Sequence, residues 1–513
     1  MSETLIKQLQ NADLYSHPVS DFNVFETHGS WVITTGEFVY KIKKPVHFPF
    51  LDYSTLAKRK HYCEQELKLN SEMAAQIYID VVPIYGNEEH PSFAAQGEPI
   101  EYAVKMREFS QQQLFSQLLK NHKLSTDIID QLALSIVAFH KNITVAGDEI
   151  TYGSAEQTHQ LAMDNFSETL ALLTDADDIA QLKQLETLTE QAYQRIKPIM
   201  ATRKAKGFIR QTHGDIHLNN IVLIDGKPVI FDRIEFNESF IWNDTMADLG
   251  FIVMDLDEHG QTAFANRLAN RYFEYSGDYE GVKLLPYNCA YRAMVRAKVD
   301  QFRLQQPGLS EIEIASIKRH YQACLSLVEN YLQLTTPQLF ITHGVSASGK
   351  STVAKIVVEK AGAIQLRSDL ERKRLANIDL FENTESPLLA DYYSPEFSEK
   401  VYAQLLELAR DVIAAGFTVV VDASFLTAAQ RQPFENLATE LNIPYTILHC
   451  HAPADTLRQW MTERAETNTR NVSEARLDIL EHQLQQDDDF TDTEKQHIVP
   501  INTTKTINFD FLG

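Results

Sequence analysis

The residues Gly344, Val345, Ser346, Ala347, Ser348, Gly349, Lys350 and Ser351 constrain this chain more than any other stretch. They satisfy G-x-x-x-x-G-K-[ST], a loop whose backbone N–H groups converge on phosphate oxygens. The motif has meaning only between a strand and a helix. Leu339, Phe340 and Ile341 supply an apolar run before it, and Thr352 opens the helical sequence Thr352-Val-Ala-Lys-Ile-Val-Val-Glu after it. A helix N-terminus behind the loop adds partial positive charge. Lys350 is expected to reach the β- and γ-phosphates of a nucleoside triphosphate, and Ser351 to ligate Mg²⁺. A chance Gly/Ser turn is the alternative, and the order strand, loop, helix argues against it.

A chain of 513 residues has room for two to four domains, each able to bury a core. Its formal charge of −23 argues against a general nucleic-acid-binding surface, which needs clustered cations. Cys63, Cys289, Cys324 and Cys450 show no C-x-x-C spacing. That pattern reads as reduced thiols of a cytoplasmic protein, not as a disulfide framework or a zinc site. The N-terminus has no signal-like apolar region, and no apolar run approaches the ~20 residues that span a bilayer, so no membrane partner is expected.

Alternation and turn residues place strands at 30–35 and 38–43 around Gly36-Glu37, a charged amphipathic helix over 55–75, and strands at 81–85 and 102–106. Helices dominate from about 110 to 335, interrupted at 208–236. Leu334-Thr-Thr-Pro-Gln338 reads as a linker. Beyond it, strands at 339–343, 417–421 and 445–450 alternate with helical stretches, the pattern of a parallel α/β sheet. The expected domains are 1–335, with a small lobe over about 1–108 and a large lobe over about 109–335, and 336–513.

A second constellation lies about 130 residues before the loop. His213-Gly-Asp-Ile-His-Leu-Asn-Asn220 sits between Gly207-Phe-Ile-Arg-Gln and the strand-like Ile221-Val-Leu-Ile, and Val229-Ile-Phe-Asp232 follows. Phosphoryl transfer needs a carboxylate beside the attacking hydroxyl and oxygen ligands for Mg²⁺. Asp215, Asn220 and Asp232 supply those chemistries. The pattern H-G-D-x-H-x-x-N followed by a strand-borne Asp resembles the aminoglycoside phosphotransferase-like kinases. That resemblance implies a two-lobed, protein-kinase-like α+β domain, with Asp215 as catalytic base and Asn220 and Asp232 as Mg²⁺ ligands. It further implies that His213 and His217 brace the loop and that Asp248 is a structural carboxylate. Arg233-Ile-Glu-Phe236 departs from the Phe-Gly that protein kinases carry there.

Kinases of this architecture hold the nucleotide phosphates with a small-lobe strand lysine oriented by a helix glutamate. On the strand 38–43, Phe38, Tyr40 and Ile42 share one face, and Val39, Lys41 and Lys43 the other. Lys41 is the expected phosphate-side lysine, with Lys43 as fallback. Glu66 is its first partner and Glu64 the second choice. Two solvated lysines are the plain alternative. Thr27-His-Gly-Ser-Trp31 is a candidate turn over the phosphates, and Met106-Arg-Glu-Phe109 a candidate hinge facing adenine. Arg292 and Arg296 share a helix face, which either meets an anionic substrate or is solvated and salt-bridged.

In the last third, Ile364-Gln-Leu-Arg-Ser-Asp369 reads as a strand ending in a carboxylate, where small-molecule P-loop kinases face the acceptor hydroxyl. Arg367, Arg372, Lys373 and Arg374 around Asp369 either hold an anionic acceptor or form a solvated basic helix. Asp422 ends a buried strand as the expected Mg²⁺-side carboxylate. Arg458, Arg464 and Arg470 follow the strand 446–450. In kinases of this shape that region is a lid whose arginines neutralise the transferred phosphoryl group, and Arg464 and Arg470 are its candidates. This part resembles the zeta-toxin-like and gluconate-kinase-like P-loop kinases of the AAA-labelled group. The whole chain resembles bacterial bifunctional proteins that join an aminoglycoside phosphotransferase-like half to a P-loop ATP-binding half. The expectation is therefore a cytoplasmic two-site enzyme using ATP and Mg²⁺ to phosphorylate a hydroxyl of a small molecule. An ATP-binding regulatory protein with a non-catalytic first half, or a polynucleotide or nucleotide-sugar kinase in the P-loop half, are the alternatives.

Overall fold

The computed structural model describes residues 3–48, 51–381, 394–467, 477–485 and 488–512. The chain divides into two compact units, residues 1–255 with 291–325 and residues 256–290 with 326–513.

The first unit opens with helix α1 (Glu3–Gln8) and strands β1 (Asn23–Glu26), β2 (Ser30–Thr34) and β3 (Phe38–Lys43). Helix α2 (Leu56–Ala74) follows, then β4 (Tyr78–Gly86), the short β5 (Pro91–Ser92) and β6 (Glu101–Arg107). The six strands form one antiparallel sheet in the order β1-β2-β3-β6-β4-β5. The period-2 alternation of β3 decides its two environments. Tyr40 and Ile42 pack with Ile33 against Leu5, Ile6 and Leu9 of the N-terminal segment. Val39 faces the other way, with Cys63 and Ala74 of α2, Val104 and Met106. Lys41 and Lys43 are therefore presented on the α2 side.

The large lobe contains α3 (Thr126–Asn142) and the hairpin β7 (Ile221–Ile224) and β8 (Lys227–Ile230). Val222 and Val229 of that hairpin join the cluster of Val39 and Met106, so the two lobes share one apolar seam. Helices α4 (Thr245–Glu258), α5 (Thr262–Ser276) and α6 (Leu285–Leu304) follow in the chain. This is a two-lobed α+β architecture.

The second unit is built on β9 (Leu339–His343), β10 (Ile364–Arg367), β11 (Val419–Asp422), β12 (Tyr445–His451) and β13 (Ile498–Asn502). All pairings are parallel, in the order β10-β11-β9-β12-β13. Central β9 is buried along its whole length, which is why it reads as an unbroken apolar run. Edge strand β13 escapes sequence reading because Pro500 interrupts it, and only an edge tolerates that loss of a donor. Helix α7 (Lys350–Ala361) follows β9, α8 (Ser368–Leu375) follows β10, α9 (Pro395–Ala414) precedes β11, and α10 (Ala454–Thr467) and α11 (Leu477–Gln483) lie between β12 and β13 in the chain.

The units do not part at the 334–338 linker, as a division at 335/336 would require. Helix α5 packs with the P-loop unit. Arg267 Nη1 pairs with Glu359 Oε1 of α7 at 2.6 Å, and Asn270 Oδ1 accepts the backbone N–H of Gln365 at 2.7 Å. Among the described residues no helix is long and apolar enough to cross a membrane.

Candidate functional site

The first centre begins at β3. Lys41 Nζ donates to Glu66 Oε1 at 2.8 Å and to Asp232 Oδ1 at 2.6 Å. Lys43, two residues on and so on the same face, is turned inward. Its Nζ donates to Glu66 Oε2 at 2.6 Å, to Tyr53 Oη at 3.3 Å and to Glu235. The side chain of Lys43 is 1% exposed against 16% for Lys41, so Lys41 is the one that borders open space. Glu64 points outward beside Lys60 and takes no part.

A fully buried carboxylate such as Glu66 persists as an anion only when paired. Burial pushes its pKa up, but Lys41 and Lys43 outweigh that and bring it down to about 2. Burial likewise opposes the charge on Lys41, yet Asp232 and then Glu66 hold its ammonium well above the ordinary lysine value. Burial raises Glu235, with Lys43 opposing.

Asp232 sits at φ +63°, a left-handed conformation that costs a non-glycine residue energy and that clusters at functional sites. Its N–H is held by Tyr78 Oη at 3.3 Å, and its side chain is 43% exposed. The next residue explains the departure from Phe-Gly. Arg233 is fully buried and donates to the Thr212 carbonyl at 3.1 Å and to Glu72 at 2.6 Å, while Asn70 Oδ1 accepts its N–H at 2.8 Å. It ties α2 to the strand that feeds the His213–Asn220 loop.

That loop is braced from several sides. Asp248 of α4 accepts the N–H groups of His213 at 2.9 Å and Gly214 at 2.8 Å, and pairs with His140 of α3 at 3.0 Å. Asp255 accepts the N–H of Leu218 at 2.8 Å and pairs with Arg296 at 3.1 Å. His213 Nδ1 accepts the N–H of Asp215 at 3.2 Å, which leaves Nε2–H to donate to the Phe231 carbonyl at 3.0 Å. Burial lowers the His213 pKa, consistent with that neutral tautomer. Gly214 has φ +84°, and a Cβ there would meet the Phe240 carbonyl at 2.8 Å.

Asp215 Oδ2 receives Asn220 Nδ2 at 3.1 Å and lies 3.3 Å from His217 Nε2. Burial acts to raise the Asp215 pKa. The hydrogen bond from His217 and the charges of His217, Arg292 and His213 outweigh it and hold the carboxyl below its ordinary value. Asn220 and Asp232 are linked through the Phe231 N–H, which donates to the Asn220 carbonyl at 3.0 Å. With Asn220 Nδ2 spent on Asp215 and Asp232 Oδ1 on Lys41, one carboxamide and one carboxylate oxygen are left, hard donors of the kind Mg²⁺ takes. Of the candidate hinge stretch, Arg107, Glu108 and Phe109 line a groove of about 920 Å³ together with Ile77, Tyr78 and Leu223.

The second centre is the phosphate loop. Gly344 (φ +140°) and Gly349 (φ +86°) are glycines by necessity: a Cβ would meet the Cys450 carbonyl at 2.4 Å and Thr503 Cγ2 at 2.9 Å respectively. Lys350 and Ser351 open α7, and Lys350 Nζ donates to the Val345 carbonyl at 2.8 Å. Asp422 is buried at the end of β11, opposite Arg367 of β10, and accepts Gln365 Nε2 at 2.8 Å. The Ser351 hydroxyl and the Asp422 carboxylate are again oxygen donors suited to Mg²⁺.

Sequence reasoning missed Gln483. Its Oε1 accepts both the N–H (2.7 Å) and the hydroxyl (2.8 Å) of Ser346. Leu457 and Met461 of α10 and Leu480 of α11 pack with Val345 of the loop itself. No local pattern marks Gln483, since a lone Gln on a polar helix is ordinary.

Asp369 lies in the first turn of α8 and does not end a strand, because β10 stops at Arg367. The surrounding basic residues are not a solvated helix. Lys373 is 1% exposed and donates to the Leu380 carbonyl at 3.3 Å, and Arg374 is consumed by Glu371 and the Glu274 carbonyl. Arg372 stays beside Ser398 at 3.2 Å. Tyr402, whose Oη accepts the Phe425 N–H at 3.2 Å, feels the charges of Arg372 and Asp369. Arg458 is bound to Glu481 at 2.7 Å, a surface pair. The side chain of Arg464, and Arg470 altogether, lie outside the described residues.

A family model described as an AAA domain matches residues 339–486. An uncharacterized protein of Mycobacterium tuberculosis is 28% identical over 465 residues, covering 90% of this chain and 90% of the relative. Among solved structures, an amicoumacin kinase in complex with AMP-PNP, Ca²⁺ and Ami is similar over 63% of this chain and 93% of its own, at 12% identity and a TM-score of 0.41. A sugar kinase from Janibacter sp. HTCC2649 is similar over 33% of this chain and 87% of its own, at 20% identity and a TM-score of 0.26. The family match covers the phosphate loop and most of the five-stranded parallel sheet of the second unit.

Proposed function

We propose that this chain is a two-site ATP-dependent phosphotransferase acting on hydroxyl groups of small molecules. The observation that carries the reading is Lys41 held between Glu66 and Asp232, on a strand end whose Phe231 N–H bonds Asn220, the residue that in turn bonds Asp215. A strand lysine, a helix glutamate and a loop carboxylate in contact are the parts that phosphoryl transfer uses to hold triphosphate. In this reading Lys41 takes the nucleotide phosphates, while Asn220 and Asp232 would hold Mg²⁺, whose charge would offset that on the transferred group. Asp215 accepts the proton of the acceptor hydroxyl. The acceptor oxygen bonds to the γ-phosphorus as the bond to the β,γ-bridging oxygen breaks, and ADP leaves.

At the second site the N–H groups of the 344–352 loop would cradle the phosphates. Lys350 would reach their β,γ end, Ser351 and Asp422 would face the cation, and Asp369 would position the acceptor hydroxyl. Arg464 would supply charge from the lid. The contacts of Lys41 with Glu66 and Asp232, and of Asn220 with Asp215, speak against a regulatory protein whose first half is non-catalytic. The net charge of −23 speaks against nucleic acid as a partner. Four free, buried cysteines fit a cytoplasmic setting.

The test is to incubate the full chain with γ-labelled ATP, Mg²⁺ and a cell metabolite extract, beside Asp215→Ala and Lys350→Ala. Two labelled products, one lost in each variant, support two sites. Label that moves to no metabolite in any of the three proteins would sink the reading.

A further inference from the structure

The cation beside Asp215 bears on the acceptor. Arg292 projects from α6, and its Nη2 donates to the Gly214 carbonyl at 3.0 Å, one residue before the proposed base. Its guanidinium carbon stacks 4.6 Å from the Phe251 ring and 5.2 Å from the Tyr291 ring. Phe251 also carries His217, with ring centroids 5.5 Å apart. One buried aromatic platform therefore fixes both cationic-capable groups that flank Asp215.

The neighbouring arginine on the same helix face differs in one respect. Arg296 is neutralised by Asp255 at 3.1 Å. Arg292 makes no ion pair among the described residues, its Nε is buried without a hydrogen-bond partner, and Nη2 carries its hydrogen bond to a neutral carbonyl. A guanidinium keeps its charge at any physiological pH, and this partly buried one, bonded to a carbonyl and not ion-paired, can take an anion through its fork. Asp215 feels that charge, which helps hold its carboxyl low. The overall charge of −23 does not override this locally, because solvent ions screen charges beyond about 8 Å at physiological salt.

We propose that Arg292 selects the acceptor of the first site: an alcohol that also carries an anionic group, carboxylate or phosphate, and not a polycationic amine. The guanidinium fork would bind that anion and so place a hydroxyl at Asp215. This rests on the phosphotransferase reading given above.

The experiment uses the full chain carrying Lys350→Ala, which silences the second site. A metabolite extract is separated on ion-exchange resins into anionic, neutral and cationic fractions, and each is assayed with γ-labelled ATP, with Asp215→Ala as the blank. Label moving to the anionic fraction is expected. Arg292→Gln should then lower kcat/KM on that fraction about ten- to a hundredfold, mainly through KM, with the KM for ATP and the melting temperature unchanged. Arg292→Lys, which keeps the charge but not the fork, should recover part of the loss. Treating the anionic fraction with alkaline phosphatase, then removing the phosphatase, separates the two sources: lost acceptor activity means a phosphate group, retained activity a carboxylate. Asp215-dependent transfer to the neutral or cationic fraction, or an Arg292→Gln enzyme with unchanged KM, overturns the proposal and leaves the phosphotransferase reading standing. Transfer to no fraction removes both.

Discussion

At the scale of single residues, the first centre is an exercise in which charges are allowed to be buried. Asp215 is held below the ordinary aspartate value by His217 and neighbouring charges against its burial. A base must be unprotonated to work, so the acid limb of Asp215-dependent transfer should lie below the ordinary aspartate range and not near neutrality. A pH profile of kcat/KM in the Lys350→Ala background reads this, and an acid limb centred near pH 6 would contradict it. Asp215→Asn should cost about 10²- to 10⁴-fold in that transfer with the fold intact.

Lys43 makes a sharper case, because it touches no expected ligand. It neutralises Glu66 and Glu235 in a site closed to water. Lys43→Met leaves buried Glu235 without its cation and Glu66 with Lys41 alone, and should destabilise the first unit by about 3–5 kcal/mol, with most of the loss recovered when Glu235→Leu is added. Thermal unfolding of the single and double variants decides it, and a double variant no more stable than the single one would count against the pairing. Acid adds a matching expectation for Glu66. Its folded value of about 2 lies below the unfolded 4.5, so the stability it contributes is complete above 4.5 and is lost as pH falls toward 2.

At the scale of elements, the phosphate loop and the helices above it form one device. Gln483 of α11 occupies the Ser346 N–H, a donor that the motif aims at anions, while α10 and α11 press on Val345. Seating a triphosphate there requires Gln483 to yield that donor. Gln483→Ala should therefore tighten ATP binding at the second site, about two- to tenfold for one modest hydrogen bond. Calorimetric titration with the first site disabled by Lys41→Ala measures it. Weaker binding would instead make Gln483 a ligand of the bound nucleotide.

At the scale of the whole molecule, the chain's division does not follow its linker. Helix α5 lies between the first motif and the last in sequence, yet packs on α7 and β10 of the P-loop unit. A fragment cut at 336–513 loses that cover over the P-loop helix. It should melt lower than a fragment of residues 256–513, or aggregate where the longer one does not. Equal melting temperatures would show the 334–338 segment to be the true boundary.

Each motif was legible because its physics is local. The glycines at 344 and 349, the loop from His213 to Asn220 and the alternation of Phe38 to Lys43 each follow from backbone geometry within a few residues. So the glycine geometry of the phosphate loop, the strand faces of Phe38 to Lys43 and the contact of Lys41 with Glu66 could be read directly. What lay beyond reading was the outcome of burial. Lys41 meets Glu66 and Asp232 across sequence separations of 25 and 191 residues. Whether Lys373 and Arg374 faced solvent, whether Arg292 was paired, and which unit α5 joined depended on which surfaces the folded chain brought together. The amino-acid sequence by itself determined where phosphate-binding backbone and carboxylate-bearing loops would form. Only the tertiary structure decided which charges would find partners, because a charge is paired or stranded by neighbours distant in the chain.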